Sequence, residues 1–329
     1  MRIGKIYSGS LPGFLKELAL TPEMQRLRDV GMNCGCEYTS FPRFRDLKPY
    51  SRFDHSLGTA GIVWQFTGDP GQSAAALFHD IATPVFAHSV DFMRGDYLSQ
   101  ESTEAGTEQL IRGSRAIAEL LEKHGIPVDA VLDYHRYPIA DNDAPRLSAD
   151  RLEYTLGNLE NYRLRQPAAL RLYYRDLCVT ENEDGQPELA FSDKAAALDF
   201  GLDALRCSRI YVSDEDRYAM QRLSELLGEA LSRGVLAEAD LLSTERKVIG
   251  KLLADPRGAE DWTAFRGLKR MIAQEELAPP ENRRVIPAKK RCIDPLVRGE
   301  GRLSAICPPF AEELRAFLDQ DQSGWLCAE

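Results

Sequence analysis

The chain of 329 residues lacks any apolar run long enough to cross a membrane, although 43% of its residues are hydrophobic. It also lacks the signature of an export signal. Arg2 and Lys5 are followed by Gly9, Pro12 and Gly13 instead of an apolar segment. We therefore expect a cytoplasmic protein with no membrane among its partners.

Positive charge is in short supply. Lysine and arginine number 41 against 51 aspartates and glutamates, which gives a formal net charge of −10. An acidic chain is poorly suited to nonspecific binding of nucleic acid, so we do not expect nucleic acid as the main partner. A nucleotide substrate stays compatible with this charge, because a local basic pocket can lie on an acidic protein. A homo-oligomer also stays open.

Cysteines do not form a recognisable framework. Their odd number, seven, favours free thiols over disulfides in a cytoplasmic chain. Cys34-Gly-Cys36 could be half of a structural zinc site, but no second Cys or His pair follows at zinc-finger spacing. Free thiols are therefore the favoured interpretation.

Strand signals are also scarce, and most of the chain has helical periodicity. Thr21-Pro22 predicts a helix that Gly31 ends, and Ser213 with Asp216 predicts a capping box at the start of a helix that continues to Gly234. Similar spacing predicts helices through Val248–Leu253, Trp262–Ile272 and Phe310–Leu318. Asp184-Gly185 between short apolar segments predicts one hairpin, Leu177–Val179 with Leu189–Phe191, and Arg284–Ile286 could be another strand. The most linker-like stretch is Pro279–Arg284.

Histidine is rare, and its distribution is the most informative feature of the chain. Three of the five histidines lie between His55 and His88, and His79 is followed directly by Asp80 in an apolar context. Burying an imidazole and a carboxylate is costly unless both have partners. A divalent metal ion suits both groups together. The pattern therefore points to a metal site.

The ordered set of His55, His79-Asp80 and a distant Asp150 resembles the HD phosphohydrolase superfamily, in particular its dNTP triphosphohydrolase and dGTPase branch. The likeness extends over residues 1–235. The stretches that carry it are Thr21–Arg28, Arg52–Gly58, Ala76–Asp91, Ser148–Tyr154 and Arg206–Tyr211. The resemblance implies a mainly α fold: an HD-domain helical bundle over residues 1–235 with a minor β-hairpin, and a helical C-terminal region over residues 236–329, which could pack on the same core.

The resemblance implies that His55, His79, Asp80 and Asp150 bind one divalent transition metal ion (Mn, Fe, Co, Ni or Zn, with Mg also open). Such an ion lowers the pKa of a bound water and polarises phosphorus. The alternative is that the histidines are core residues and the aspartates are helix caps. A binuclear site would need two more histidines at intermediate spacing, and His88 and His124 do not have that spacing.

His88 and Asp91 stand three residues apart, on one face of a helix after Pro84. By resemblance, His88 is a general acid or transition-state donor and Asp91 orients it. An exposed ion pair is the alternative. Arg52 and Arg151 would neutralise phosphate charge, and Tyr154 would border the sugar.

Three departures from that branch bear on the substrate. Thr83 and Gln100-Glu101 stand where the triphosphohydrolases have histidines, and Asn158 stands where they have an aspartate that meets the sugar. The sequence therefore predicts a metal-dependent hydrolase of nucleotide phosphate ester or anhydride bonds. The alternatives are a nucleoside monophosphate phosphatase (a 5'-nucleotidase) and a nucleotide-binding sensor without turnover. A di-iron oxygenase on the same scaffold would need further ligands.

The last third of the chain has a local basic cluster, with arginines at 283, 284 and 291 and lysines at 289 and 290. Such a cluster is usually a solvated face. The functional alternative is that it closes over phosphate or binds a regulatory nucleotide.

Overall fold

A computed structural model describes residues 5–7, 9–100, 106–272 and 283–329. Most of the described chain is helical, as the sequence predicts. The α-helices, in chain order, are α1 (Gly13–Leu18), α2 (Pro22–Arg26), α3 (Arg52–Thr67), α4 (Pro70–Phe78), α5 (His88–Met93), α6 (Thr107–Gly113), α7 (Arg115–Lys123), α8 (Ala149–Asn161), α9 (Pro167–Asp176), α10 (Lys194–Tyr211), α11 (Asp214–Ser232), α12 (Glu238–Leu241), α13 (Glu245–Ala254), α14 (Pro256–Gly267), α15 (Leu303–Ile306) and α16 (Pro308–Leu318). Short 3₁₀ helices are Leu27–Asp29, Cys36–Tyr38, Val128–Ala130 and Tyr134–Arg136.

The described strands form one small sheet in the order β1 (Leu177–Glu181), β2 (Pro187–Phe191), β3 (Leu296–Val297) and β4 (Gly301–Arg302). The predicted hairpin is β1–β2, antiparallel with Leu177 opposite Phe191. β3 joins β2 in parallel and is itself paired antiparallel with β4. The sequence did not predict β3 and β4, because two-residue strands have no periodicity to detect. The predicted strand at Arg284–Ile286 is wrong: Arg284 makes only an isolated bridge with Leu326.

Several predicted helix ends differ in detail. The helix through Trp262 ends at Gly267, so Leu268 and Ile272 lie beyond it. Thr21 precedes α2 but does not cap it, because its hydroxyl donates to the carbonyl of Leu18. Of the linker predicted at Pro279–Arg284, residues 279–282 lie outside the described residues.

The capping box predicted at α11 is only half present. The Ser213 hydroxyl accepts a hydrogen bond from the Asp216 amide, as predicted. The backbone N–H of Ser213, which the Asp216 carboxylate was expected to bind, instead donates to Ile210. The Asp216 carboxyl group contacts the Cys36 thiol, with 3.7 Å between Sγ and Oδ1.

Two hydrophobic clusters fill the interior, and α3 and α4 contribute side chains to both. The first cluster includes Phe53 and Leu57 of α3 and Trp262 of α14. The second includes Ile62 and Val63 of α3 together with residues of α8, α10, β2 and α16. Helices α3 and α4 therefore lie between two packed layers, which fixes their positions.

The C-terminal region contributes to both clusters. Trp262 contacts Tyr38 with 5.3 Å between ring centroids, and Phe310 packs against Gly201 of α10 so closely that a β-carbon at that glycine would overlap the ring. A domain boundary at residue 235 stays a prediction. Of the helices that the structure describes, none combines the length and apolar character that a membrane span requires.

Candidate metal centre

Three helices bring the predicted metal ligands together. His55 lies on α3, one turn after its first residue, and Asp150 lies in the first turn of α8. His79 is the C-terminal cap of α4, and Asp80 follows in the turn beyond it. The His-Asp doublet therefore lies at the end of a helix, whereas the apolar sequence around it favours a position within a helix. Both residues still point to the same place, because the chain turns at this position.

The donor atoms of the four residues face one another at short distances. The Nε2 atoms of His55 and His79 are 3.1 Å apart. Oδ2 of Asp80 lies 3.9 Å from Nε2 of His55 and 3.6 Å from Nε2 of His79. Oδ1 of Asp150 lies 2.9 Å and 3.5 Å from the same two nitrogens. Within the described residues, His55, His79 and Asp80 form a buried group of the kind that can bind a metal ion.

Hydrogen bonds behind the imidazoles fix which ring nitrogens face the group. His55 Nδ1 donates to Oε2 of Glu153 at 2.7 Å, and His79 Nδ1 donates to the carbonyl oxygen of Ala76, also at 2.7 Å. Both Nε2 atoms are thereby directed toward Asp80 and Asp150. A histidine that binds a metal ordinarily uses its other nitrogen in this way.

Glu153 is fully buried, and sequence analysis did not identify it as a functional residue. Its carboxylate accepts hydrogen bonds from the hydroxyls of Tyr7 and Tyr50 as well as from His55. Gly58 of α3 makes room for it, because a β-carbon at that position would overlap the carboxylate. The available signal was the spacing of three residues from Asp150, which places Glu153 on the same face of α8.

The carboxylates favour positive charge at the imidazoles. Burial alone would lower the pKa of His55, but the hydrogen bonds to Asp150 and Glu153 outweigh burial and raise the pKa to about 10. Burial likewise opposes ionisation of Asp80, yet the Arg52 guanidinium and the two histidines hold its pKa well below the usual range. The site therefore favours a positive charge, whether protons or a bound cation carry it.

This donor set fits a divalent transition metal ion. It offers two imidazole nitrogens and two carboxylates, a combination that suits Mn, Fe, Co, Ni or Zn. The two histidine nitrogens lie 2.9–3.9 Å from each other and from the carboxylate oxygens, which is compatible with ligands about 2 Å from one ion. Of the four residues, His55, His79 and Asp80 have donor atoms that all lie within 4.8 Å of one another.

Asp80 also has partners outside the group of four. Arg52 Nη1 donates to both of its oxygens, at 3.2 Å and 3.0 Å, and the Thr83 hydroxyl donates to Oδ1 at 2.7 Å. Thr83 stands at a position where the triphosphohydrolase branch has a histidine. Here it orients the Asp80 carboxylate.

His88 and Asp91 form the predicted pair at the start of α5. His88 Nδ1 donates to Oδ2 of Asp91 at 2.8 Å, and Asp91 is fully buried. Two residues before His88 have positive φ, Phe86 at 59° and Ala87 at 42°. Such backbone is strained for residues other than glycine and is often found at functional sites. This backbone geometry places His88 at the wall of the cavity described next.

A cavity of about 800 Å³ connects the predicted metal ligands with the other predicted site residues. Arg52, His88, Arg151 and Tyr154 all line it, so the structure brings every predicted substrate-binding residue to one place. Asp91 lies behind His88, in the protein interior. A further group lies away from the metal ligands in the sequence and also lines the cavity: Asn33, Asn158, Tyr162, Tyr211, Asp216 and Met220.

Arg151 is held by protein groups at the cavity wall. Its Nη1 donates to Asp141, Asn142 and Ser148, each at 3.0 Å, and its Nη2 donates to the carbonyl of Asn142. Its predicted role as a phosphate ligand therefore competes with a structural role in the loop before α8.

Cys34 and Cys36 are both buried, and burial raises the pKa of the Cys34 thiol to about 12 and that of the Cys36 thiol well above its usual range. Within the described residues, neither cysteine belongs to a group of side chains close enough to bind one metal ion together. Both are free thiols in the structure, which is the interpretation that the sequence favours.

The chain matches no family model. It is similar to the uncharacterized protein YdhJ of Bacillus subtilis, with 26% identity over 259 residues that cover 77% of this chain and 76% of that protein. It is also similar to the metal-dependent phosphohydrolase cns2 of Cordyceps militaris, with 25% identity over 337 residues that cover 92% of this chain and 87% of that protein. Together with the buried His-His-Asp group, this similarity supports the HD superfamily and a metal-dependent hydrolase.

Proposed function

We propose that this protein hydrolyses a phosphate ester or anhydride bond of a nucleotide, with a divalent metal ion bound by His55, His79, Asp80 and Asp150. The observation that carries the proposal is the convergence of these four donor atoms at one end of a cavity that basic side chains also line. When bound, the ion supplies Lewis-acid polarisation of the phosphate and a water of lowered pKa.

Arg52 is suited to bind the phosphate that reacts. It is buried, it lines the cavity, and only its Nη1 is used on Asp80. Its Nε has no hydrogen-bond partner within the described residues. A buried donor without a partner is costly, and a substrate oxygen would satisfy it. Arg52 therefore couples the position of the metal ligand Asp80 to that of the substrate.

His88 is suited to transfer a proton at Nε2. Burial lowers its pKa, the hydrogen bond to Asp91 opposes this effect, and the charges of Arg291 and Arg52 lower the pKa further, to about 4. The ring is therefore neutral at pH 7, with Nδ1–H bound by Asp91. A phosphate dianion beside Nε2 would raise the pKa and let His88 protonate the leaving oxygen.

The end of the cavity lined by Asn33, Asn158, Tyr162 and Asp216 supports a polar organic group as the remainder of the substrate. Asn158 Nδ2 donates to the Tyr211 hydroxyl at 2.8 Å, while its buried Oδ1 lacks a partner within the described residues. A hydroxyl of a sugar is a suitable donor for this oxygen. Tyr154, near Tyr211 on the same wall, would border the sugar, as the family resemblance implies.

A monophosphate is the second candidate substrate. The two histidines that help the triphosphohydrolase branch position the acid and the leaving phosphate are Thr83 and Gln100 here. Thr83 is bound to Asp80, and Gln100 is bound to Arg291, so neither can replace a histidine in proton transfer. Glu101 lies outside the described residues. These substitutions favour a nucleoside monophosphate over a triphosphate.

One screen tests the proposal. Purified protein is loaded with Mn²⁺, Fe²⁺, Co²⁺, Ni²⁺, Zn²⁺ or Mg²⁺ and incubated with nucleoside mono- and triphosphates, and phosphate, pyrophosphate and triphosphate are measured separately. Turnover that depends on the metal is expected. Release of phosphate alone from monophosphates would identify a phosphatase, and release of triphosphate a triphosphohydrolase. Nucleotide binding without turnover in the presence of any of these metals would instead support the alternative of a nucleotide-binding sensor.

A further inference from the structure

Arg291 reaches the cavity from a part of the chain that the family resemblance does not cover. Its Nη2 lies 3.4 Å from Nε2 of His88 and also donates to Oε1 of Gln100. It lines the same cavity as the metal ligands. Arg52 lines this cavity as well, and the positive charges of Arg291 and Arg52 both lower the pKa of His88.

Arg291 differs from the other two arginines of the cavity in its partners. Arg52 is paired with Asp80, and Arg151 with Asp141. Within the described residues, Arg291 has no ion pair with a carboxylate; its hydrogen-bond partners are the amide of Gln100 and the ring of His88. Asp216 lines the same cavity and interacts electrostatically with Arg291 without forming an ion pair with it. A guanidinium that makes no ion pair with a carboxylate is well suited to receive an anion.

The segment that carries Arg291 is anchored on both sides of it. Before Arg291, the amide of Ala288 donates to Gln322, and Lys290 Nζ donates to carbonyl oxygens at the end of α16. After it, the amide of Asp294 donates to Pro145, and the Asp294 carboxylate binds Ser304. Arg291 is therefore held at the cavity by contacts that do not involve the metal ligands.

Gln100 holds the guanidinium from the opposite side. Its backbone φ is 56°, an unfavourable value for glutamine, and its side chain is buried. Its Nε2 donates to the carbonyl of Tyr97, which directs Oε1 toward Arg291.

We propose that Arg291 binds the substrate phosphate next to His88, as a cationic residue that the C-terminal segment supplies to the metal centre. This inference rests on the proposed function and names a residue that recognises the phosphate. A phosphate oxygen would replace His88 Nε2 or Gln100 Oε1 as the acceptor for Nη2 of Arg291, or it would accept a hydrogen bond from Nη1 of Arg291. The ligand chemistry is that of a phosphate oxyanion.

Binding of inorganic phosphate to Mn²⁺-loaded protein, measured by isothermal titration calorimetry, tests this proposal without turnover. Arg291→Gln should raise the Kd for phosphate by about 10- to 100-fold, the loss expected for a charge-assisted hydrogen bond. Arg291→Lys should recover part of the affinity, because it keeps the charge but not the planar pair of donors. The matched control is Arg298→Ala, which removes an exposed arginine of the same C-terminal region and should leave the Kd unchanged.

Metal content and melting temperature are measured for each variant. Unchanged phosphate affinity in Arg291→Gln with normal metal content would overturn the proposal and leave Arg291 a structural residue. If Arg291→Gln does not fold, Arg291→Lys is used for the test. Wild-type phosphate affinity together with a wild-type KM in Arg291→Lys would then overturn the proposal. Absence of hydrolysis in the wild type would contradict the proposed function but not the phosphate site, which calorimetry reads independently.

Discussion

His55 donates a hydrogen bond from Nδ1 to the fully buried carboxylate of Glu153, at 2.7 Å, across the contact between α3 and α8. This contact connects a proposed metal ligand to a residue whose own partners are two tyrosine hydroxyls. The geometry of the metal centre therefore depends on the packing of α3 against α8.

Glu153→Gln tests that dependence. The amide keeps the size of the side chain but removes the negative charge that orients and polarises His55. We expect metal affinity to fall by about 10- to 100-fold, the usual effect of losing such a partner, with the fold retained. Tyr7→Phe is the control, because it removes one hydroxyl from Glu153 and leaves the His55 contact. Equal metal affinity in Glu153→Gln and wild type would contradict this role.

Asp80→Ala should abolish bound metal and hydrolysis together, while helical content by circular dichroism stays nearly unchanged. The structure adds a second expectation. Arg52 is buried and donates to Asp80, so the alanine variant leaves its guanidinium with no acceptor at this position, whereas asparagine keeps one; Asp80→Ala should therefore be less stable than Asp80→Asn. Full metal occupancy in Asp80→Ala, measured by elemental analysis, would remove Asp80 from the ligand set.

The sequence could indicate that His55, His79, Asp80 and Asp150 come together, because the His-Asp doublet and its flanks are local patterns; their role as metal ligands stays a prediction. Glu153 and Arg291 could not be predicted in the same way. Glu153 acquires its role only through a glycine on another helix, and Arg291 reaches His88 across 203 positions of sequence. Helices with strong periodicity, such as α11, were predicted well. The strands β3 and β4 exist because β2 offers an edge for pairing, which is a tertiary effect.

His88→Ala should lower kcat by about 10²- to 10⁴-fold and leave metal content intact, if His88 transfers a proton. Asp91→Asn should have a smaller effect in the same direction, because it weakens the orientation of the His88 ring but leaves the ring in place. Near-normal turnover in His88→Ala would mean that the metal centre carries the chemistry alone.

In Arg291→Gln, the loss of a nearby positive charge should raise the pKa of His88 above about 4, a shift that NMR titration can follow.

Asp216 should make the stability of the protein fall with increasing pH. Burial raises the pKa of its carboxyl group from 3.8 to about 8, so the folded state retains a proton that the unfolded state releases. The retained proton therefore adds its full contribution to the free energy of unfolding below about pH 4. This contribution is lost progressively as the pH rises to about 8. Asp216→Asn should be more stable than wild type near pH 8, by an amount on the order of a few kcal/mol, and equal to it near pH 4.

Urea unfolding at several pH values measures this difference. Asp199→Asn is the control, since Asp199 is an exposed aspartate of α10 and its substitution should give the same small effect at every pH. A constant difference between Asp216→Asn and wild type from pH 4 to 8 would show that Asp216 is ionised in the folded protein throughout.

Arg151 lines the cavity but is bound by Asp141 and Asn142, so its substitution must separate phosphate binding from loop structure. Arg151→Ala should reduce kcat/KM by a factor equivalent to about 2 to 4 kcal/mol of lost transition-state stabilisation, with metal retained. Arg151→Lys should recover only part of this loss, because an ammonium group cannot bind two oxygens in one plane. Asp141→Asn removes the ionic partner and leaves the guanidinium in place. If Arg151 binds phosphate, Asp141→Asn should retain most of the activity, whereas a loss as large as that in Arg151→Ala would assign Arg151 to the loop. An unchanged kcat/KM in Arg151→Ala would exclude both roles.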